Sequence, residues 1–99
     1  MNNVCIVGYL ATDPVAITDS NGHLVVNTKI WTKRPFKDKH GDYVSDIIPI
    51  TFWRKQAEVI EDMGYSGALV EVTGRLQSRE YAGGIEMVVV ATNMRLLDQ

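Results

Sequence analysis

Ile47-Ile48-Pro49-Ile50-Thr51-Phe52-Trp53-Arg54-Lys55-Gln56-Ala57-Glu58-Val59-Ile60-Glu61-Asp62-Met63-Gly64 changes its character once, and the place of that change decides the architecture. Apart from the proline, every residue from Ile47 to Trp53 is β-branched or aromatic, which is the composition of a strand. Pro49 can donate no ladder hydrogen bond, so it is predicted to lie at an edge or a bulge. From Lys55 to Met63 the residues are good helix formers, and Ala57, Ile60 and Met63 recur along one helical face. Gly64 suits a left-handed cap that ends the helix. A strand that passes directly into a short helix is the landmark from which the neighbouring segments are placed.

Upstream, Val4 to Leu10 is an apolar run ended by Asp13-Pro14, and Leu24 to Thr32 is a second run entered through the turn Asp19-Ser20-Asn21-Gly22. In the second run Val26, Thr28 and Ile30 alternate with Asn27, Lys29 and Trp31, so Lys29, Trp31 and Lys33 are expected on the face away from the core. Arg34 to Val44 is polar and basic around His40-Gly41-Asp42, which predicts a long mobile hairpin between strands two and three. Downstream, strand four runs from Ala68 to about Gln77, Tyr81-Ala82-Gly83-Gly84 turns the chain, and strand five covers Ile85 to Thr92, with Arg95-Leu96-Leu97 closing the domain. Three strands, a helix and two strands is the element order of a five-stranded OB-fold barrel, an all-β class with one short helix. An SH3-like barrel or a half-open sandwich more often lacks a helix at this place.

At 99 residues the chain is expected to be one domain, residues 1–99, and anything larger must come from self-association. With 45% hydrophobic and 22% charged residues the composition is that of a soluble protein with no membrane partner. The start, Met1-Asn2-Asn3-Val4, has no secretory character and the lone Cys5 cannot form an internal disulfide, so a reducing cytoplasm is expected, with Cys5 a buried, inert strand residue. The formal net charge of -2 argues weakly against a polyanionic partner, but its distribution does not. Between residues 29 and 55, seven cations (Lys29, Lys33, Arg34, Lys37, Lys39, Arg54, Lys55) face three anions (Asp38, Asp42, Asp46), and a field concentrated on one stretch attracts phosphates whatever the total.

Four local strings resemble the bacterial and phage single-stranded DNA-binding protein family, in the family's order and spacing. They are Asn3-Val4-Cys5-Ile6-Val7-Gly8 with Asp13-Pro14, Val26-Asn27-Thr28-Lys29-Ile30, Phe52-Trp53-Arg54-Lys55-Gln56-Ala57-Glu58, and the stretch from Gly67 through Gly74-Arg75-Leu76-Gln77 to Arg79-Glu80-Tyr81. The resemblance implies an OB fold, four-fold self-association, and binding by aromatic stacking with basic grooves. By position, Phe36, Trp53 and Tyr81 match three of the family's aromatics. A fourth, early in strand three, meets Ile47 here, and Trp31 stands where the family commonly has a small residue, on the same inferred face. The chain stops at Leu97-Asp98-Gln99, without the family's flexible tail and acidic tip that recruit partner enzymes. That leaves two readings, a piece cut at the edge of the fold or a naturally short phage, plasmid or accessory member.

Nonspecific recognition of single-stranded DNA needs flat groups that tolerate every base and cations that follow the phosphates. The candidate binding residues are therefore Trp31, Phe36, Trp53 and Tyr81 for stacking, and Lys29, Lys33, Arg34, Lys37, Lys39, Arg54, Lys55, Arg75 and Arg79 for phosphates. Each has a structural rival: Trp53 packing under the helix, Tyr81 covering the barrel end, Trp31 at a subunit interface, and Arg75 and Arg79 paired with Glu71 and Glu80. Tyr9 and Tyr43 are lesser candidates, and Tyr65 reads as structural. Met87 to Ala91 reads as apolar surface for subunit pairing.

No cofactor and no catalytic residue are expected. His23 and His40 sit in turns without ligands at metal spacing, no P-loop, nucleophile elbow or HExxH string occurs, and Glu58, Glu61 and Asp62 read as a solvated helix face. The function expected is that of a single-strand coat in DNA replication, recombination or repair, self-associated and in contact with replication or recombination proteins. Two other readings stay open: a primosome-type or regulatory OB module in which protein contact dominates, and an RNA-binding module of cold-shock type.

Overall fold

A computed structural model describes residues 1–98. Six strands and one helix follow in the order β1 (Val4–Leu10), β2 (Ile17–Thr18), β3 (Leu24–Lys37), β4 (Tyr43–Trp53), α1 (Lys55–Met63), β5 (Leu69–Tyr81) and β6 (Gly84–Leu96). The two-residue β2 is a flap on β3; the other five strands form the expected barrel. Their order is β1-β5-β6-β4-β3, and β1 returns to pair with β3 at Tyr9↔Trp31 and Leu10↔Ile30, which closes the wall. All pairings are antiparallel except β4–β6, a short parallel contact at Ile50↔Val89 and Thr51↔Val90.

Strand alternation builds the core. Leu10, Val26, Ile30, Ile50, Phe52, Val70, Val72 and Val89 point inward and are buried, and Ala57 and Ile60 of α1 plug the same cluster. Full burial of a side chain such as Ile60 contributes about 2–3 kcal/mol. Met63, expected on that stripe, is exposed instead, because steps of three residues drift around a helix of 3.6 residues per turn and carry it off the face of Ala57 and Ile60.

Two glycines mark places where strands cross closely. A Cβ on Gly8 would run into the Trp31 carbonyl, and one on Gly74 into the Val90 carbonyl. Gly64 is a glycine for a packing reason and not the conformational one expected. Its backbone is extended (φ -87°), and a Cβ would stand 2.6 Å from the Ile60 carbonyl oxygen and 3.0 Å from Pro14 Cγ. The positive φ sits at the other end of the helix, on Arg54 (φ 54°, ψ -117°), where the chain turns from β4 into α1.

Pro49 faces Lys29 across the β3–β4 ladder. The Lys29 carbonyl accepts from Ala11 N–H on the β1 side, so this is a non-hydrogen-bonded pair, and the missing N–H of Pro49 points away from β3. The β6 pairing begins at the next residue, so the proline occupies an edge-like position, as expected.

Several other expectations are corrected. The hairpin between strands two and three is far shorter than residues 34–44: β3 continues to Lys37 and β4 starts at Tyr43, with one irregularity between Lys33 and Lys37. Asp38 closes the tip by accepting from the N–H groups of His40 and Asp42 at 2.9 Å each, so local side-chain bonds shape a segment that looked like open loop. Cys5 is exposed, because Val4, Ile6, Gly8 and Leu10 take the inward positions of β1 and leave Cys5, Val7 and Tyr9 outside. Val88, Val89, Val90 and Ala91 are buried within the chain's own wall, and of the Met87–Ala91 stretch only Met87 is open for subunit contact.

Candidate nucleic-acid interface

The β3–β4 ribbon, about 35 Å along its 11-residue strand β4, carries the outer face predicted from alternation. On β3 the outward residues are Asn27, Lys29, Trp31 and Lys33; opposite them on β4 stand Thr51, Pro49, Ile47 and Ser45. Across the short parallel contact the face continues onto β6 and β5, where Arg75↔Val90, Gln77↔Val88 and Arg79↔Glu86 present their side chains to the same side as Thr51.

A shallow groove runs over this face. One depression is lined by Ala11, Thr12, Lys29, Pro49 and Glu86, the next by Ile17, Val25, Trp53, Gln77, Val88 and Val90, and the two share Asn27 and Arg79. Arg79 is the centre of the groove. Its Nε donates to Glu86 Oε2 at 3.0 Å, and one terminal nitrogen donates to Asn27 Oδ1 at 3.2 Å, while Thr51 Oγ1 also donates to Asn27 at 2.8 Å. Neither Glu71 nor Glu80 is the partner: Glu80 points to the other face, and the hairpin register sets Glu86 directly opposite Arg79. Arg75 donates to Gln77 Oε1 at 3.2 Å and forms no ion pair among the described residues; it stands opposite Val90, at the groove rim.

Trp53 closes one end of the groove, partly exposed at the last position of β4, and is not packed beneath the helix. Beside it Arg54 places a terminal nitrogen 3.3 Å from His23 Nε2, and His23 lies 3.7 Å from Asp19. The Asp19 carboxyl is held below the usual carboxylate range, first by the His23 backbone N–H and then by that of Asn21, with His23 and Arg54 adding attraction. Tyr81 sits opposite Gly84 at the turn of the β5–β6 hairpin, its ring lying over Gly83.

The other arm of the ribbon divides the remaining candidates. Lys33 and Lys37 both bring their ammonium groups over the Tyr43 ring, 4.7 and 5.4 Å from its centroid. Cation–π contact stiffens those side chains without neutralising them, so both remain available to phosphates. Phe36 is exposed close by and Lys39 is in the tip. Arg34 alternates to the opposite side from Lys33 and is engaged by Asp46, with Nε 3.1 Å from both carboxylate oxygens and a terminal nitrogen 2.8 Å from Oδ1. That fork holds the Asp46 carboxyl down and raises the guanidinium. Lys55 lies in the first turn of α1 beside Glu58, Glu61 and Asp62, away from the groove.

Alternation reached Lys29, Trp31 and Lys33, but the neutral floor of Asn27, Thr51 and Gln77 and the carboxylate of Glu86 were missed. Asn27 shares the parity of Lys29 and was within reach of the same argument; the other three depend on which strands become neighbours. Trp31, 51% exposed, and Ile47, 55% exposed, are direct cross-strand partners, so an aromatic absent from one strand is matched by one at the adjoining position of the other.

A closed OB barrel whose open face combines exposed aromatics with cations over a neutral floor is the architecture of an oligonucleotide-binding module. The chain belongs to the single-strand binding protein family, whose model matches residues 1–97. It is similar to a single-stranded DNA-binding protein of Halalkalibacterium halodurans, 38% identical over 81 residues that make up 82% of this chain and 48% of the relative. One of Oceanobacillus iheyensis is 34% identical over 94 residues, 95% of this chain and 58% of the relative. Single-stranded DNA-binding protein 3 of Streptococcus agalactiae is 33% identical over 103 aligned positions, 99% of this chain and 75% of the relative. Against the first two the chain spans about half of the relative's length.

Proposed function

We propose that this chain is a non-catalytic coat for single-stranded DNA that binds without sequence preference in replication, recombination or repair. One observation carries the reading: Trp53, Arg79, Arg75 and Lys29 share one continuous face over a groove floored by Asn27 and Thr51. Rings supply contacts that every base can make, about 1–3 kcal/mol each by alanine substitution. Cations follow the chain of phosphates and release condensed counterions as it binds. Because Arg34 is engaged by Asp46 and Arg79 by Glu86, the main phosphate contacts are assigned to Lys29, Lys33, Lys37, Arg54 and Arg75. Five phosphates neutralised on a single strand give a log–log salt slope of about -3.5, or roughly a hundredfold loss of affinity between about 50 and 200 mM salt.

Self-association, with a tetramer expected, is part of the proposal. It is supported by Leu76, Ile85 and Met87, large apolar side chains exposed on the back of the β5–β6 hairpin. A cytoplasmic setting follows from the DNA partner. The test is a titration of oligo-dT against tryptophan emission at two salt concentrations, with mass from light scattering on the same samples. Quenching with a steep salt dependence is expected; a flat titration at low salt would falsify the proposal.

A further inference from the structure

We infer that the strand does not end its contacts at the groove but lays a further base on a second stacking site, formed by Tyr9 and Trp31 where β1 crosses β3. The inference rests on the single-strand reading above and adds a residue, Tyr9, and a direction of travel to it.

Tyr9, 55% exposed, is the direct cross-strand partner of Trp31, and Trp31 is the partner of Ile47. Three large side chains thus form a row at right angles to the strands, about 5 Å from one to the next at their Cβ atoms. A depression lies between the two rings, bounded by Leu10, Ala11, Ser66 and Gly67. Its floor is fixed: Leu10 N–H donates to Ala68 O at 2.9 Å, Gly67 N–H to Leu10 O at 2.8 Å, and Ala11 N–H to Lys29 O at 2.9 Å. An exposed aromatic pair beside a rigid, mostly apolar floor offers a planar ring a face to lie on without ordering the protein first.

Two observations choose the occupant. Ala11 lines both this depression and the groove centred on Arg79, so the two adjoin, and a strand leaving the groove past Ala11 arrives at Trp31. Lys29 and Lys33 flank Trp31 on the same face of β3. A ring with an ammonium two residues to either side fits a stacked base whose phosphates run on in both directions. It does not fit a second copy of the chain, since an isologous contact there would bring Lys29 and Lys33 toward their own counterparts.

Single-tryptophan proteins separate this site from the groove. Trp53→Phe leaves Trp31 as the reporter and Trp31→Phe leaves Trp53. Long oligo-dT is expected to quench both. In the Trp53→Phe background, Tyr9→Ala is expected to weaken binding of long oligo-dT about tenfold while binding of an oligomer just long enough to fill the groove changes less than twofold. Tyr9→Phe is expected to restore the long-oligomer affinity, since it keeps the stacking face. Quenching of Trp53 but not of Trp31 overturns the inference and leaves the groove reading standing. Absence of quenching in both overturns the groove reading. A drop in mass by light scattering for Tyr9→Ala also overturns it, by showing that the row is an assembly contact.

Discussion

Neutralising a single carboxylate is expected to tighten DNA binding. Glu86 is the anion paired with the central cation of the groove, with Oε2 3.0 Å from Arg79 Nε, while Asp19 lines the end near Trp53. A phosphate approaching Arg79 meets a guanidinium already partnered and a carboxylate that repels it. Two unit charges 4 Å apart interact by about 1 kcal/mol in bulk water and about 4 kcal/mol at the effective dielectric of a protein surface. The Glu86 side chain is 33% exposed and the phosphate stands beyond the guanidinium, so the lower end applies. About 1 kcal/mol is close to a fivefold change in affinity. Glu86→Gln keeps the shape and one acceptor oxygen, and Arg79 keeps Asn27. The variant is expected to bind oligo-dT about fivefold more tightly at low salt, with a salt slope steeper by about 0.7. Its stability should change by less than about 1 kcal/mol, the usual contribution of a partly exposed ion pair. Fluorescence titration across a salt series reads both quantities. If folded Glu86→Gln protein binds no better, or worse, the carboxylate serves to aim Arg79 and the electrostatic argument is wrong.

Arg54→Gly should raise thermal stability, because φ 54° with ψ -117° suits glycine and costs a side-chain residue about 1–3 kcal/mol; the gain is offset by about 1 kcal/mol of unfolded-chain entropy, and DNA affinity should fall as the cation is lost. A lower melting temperature in that variant would mean that the His23 contact outweighs the strain. Ile60→Ala is expected to cost about 2–5 kcal/mol in urea unfolding, since the side chain is fully buried beneath α1; a loss under 1 kcal/mol would show that the helix is not part of the core. Acid should destabilise the fold. Asp46 is held low by Arg34, and Asp98 by the Leu69 N–H and then the Tyr65 hydroxyl, so their contribution is complete above the ordinary carboxylate value of about 3.9 and fades as pH falls through the lower folded values. In a series of melting temperatures against pH, the Asp46→Asn, Asp98→Asn double variant should start lower at neutral pH and lose less on acidification; an acid limb as steep as the parent's would refute the assignment.

Most of the barrel was readable because inward positions alternate with outward ones on every strand, and because Trp53-Arg54-Lys55 marks the passage from strand to helix. Alternation assigns a face but not a neighbour. It placed Lys29, Trp31 and Lys33 together, yet it could not show that Arg34 meets Asp46 or that Arg79 meets Glu86, since those pairs depend on registers set by two hairpins. Cys5 was misjudged from the hydrophobicity of its neighbours, when parity along β1 decides its exposure. The Gly64 error is of another kind. A glycine after a helix reads as conformational, whereas the cause is crowding by the Ile60 carbonyl and by Pro14, and the approach of Pro14 from far away in sequence leaves no local trace.

The joint between β4 and β6 is registered at only two residue pairs, Ile50↔Val89 and Thr51↔Val90. Like the β1–β3 closure, which is also registered at two pairs, this is a thin seam of the wall, and with a proline next to it the backbone amides on either side should exchange with solvent sooner than those of the long β5–β6 hairpin. Trp53 and Arg79 stand on opposite banks of that seam. A bound strand touching both acts as a stitch, and its first mechanical effect would be felt as slowed exchange at Thr51 and Val90 and not as any change of shape.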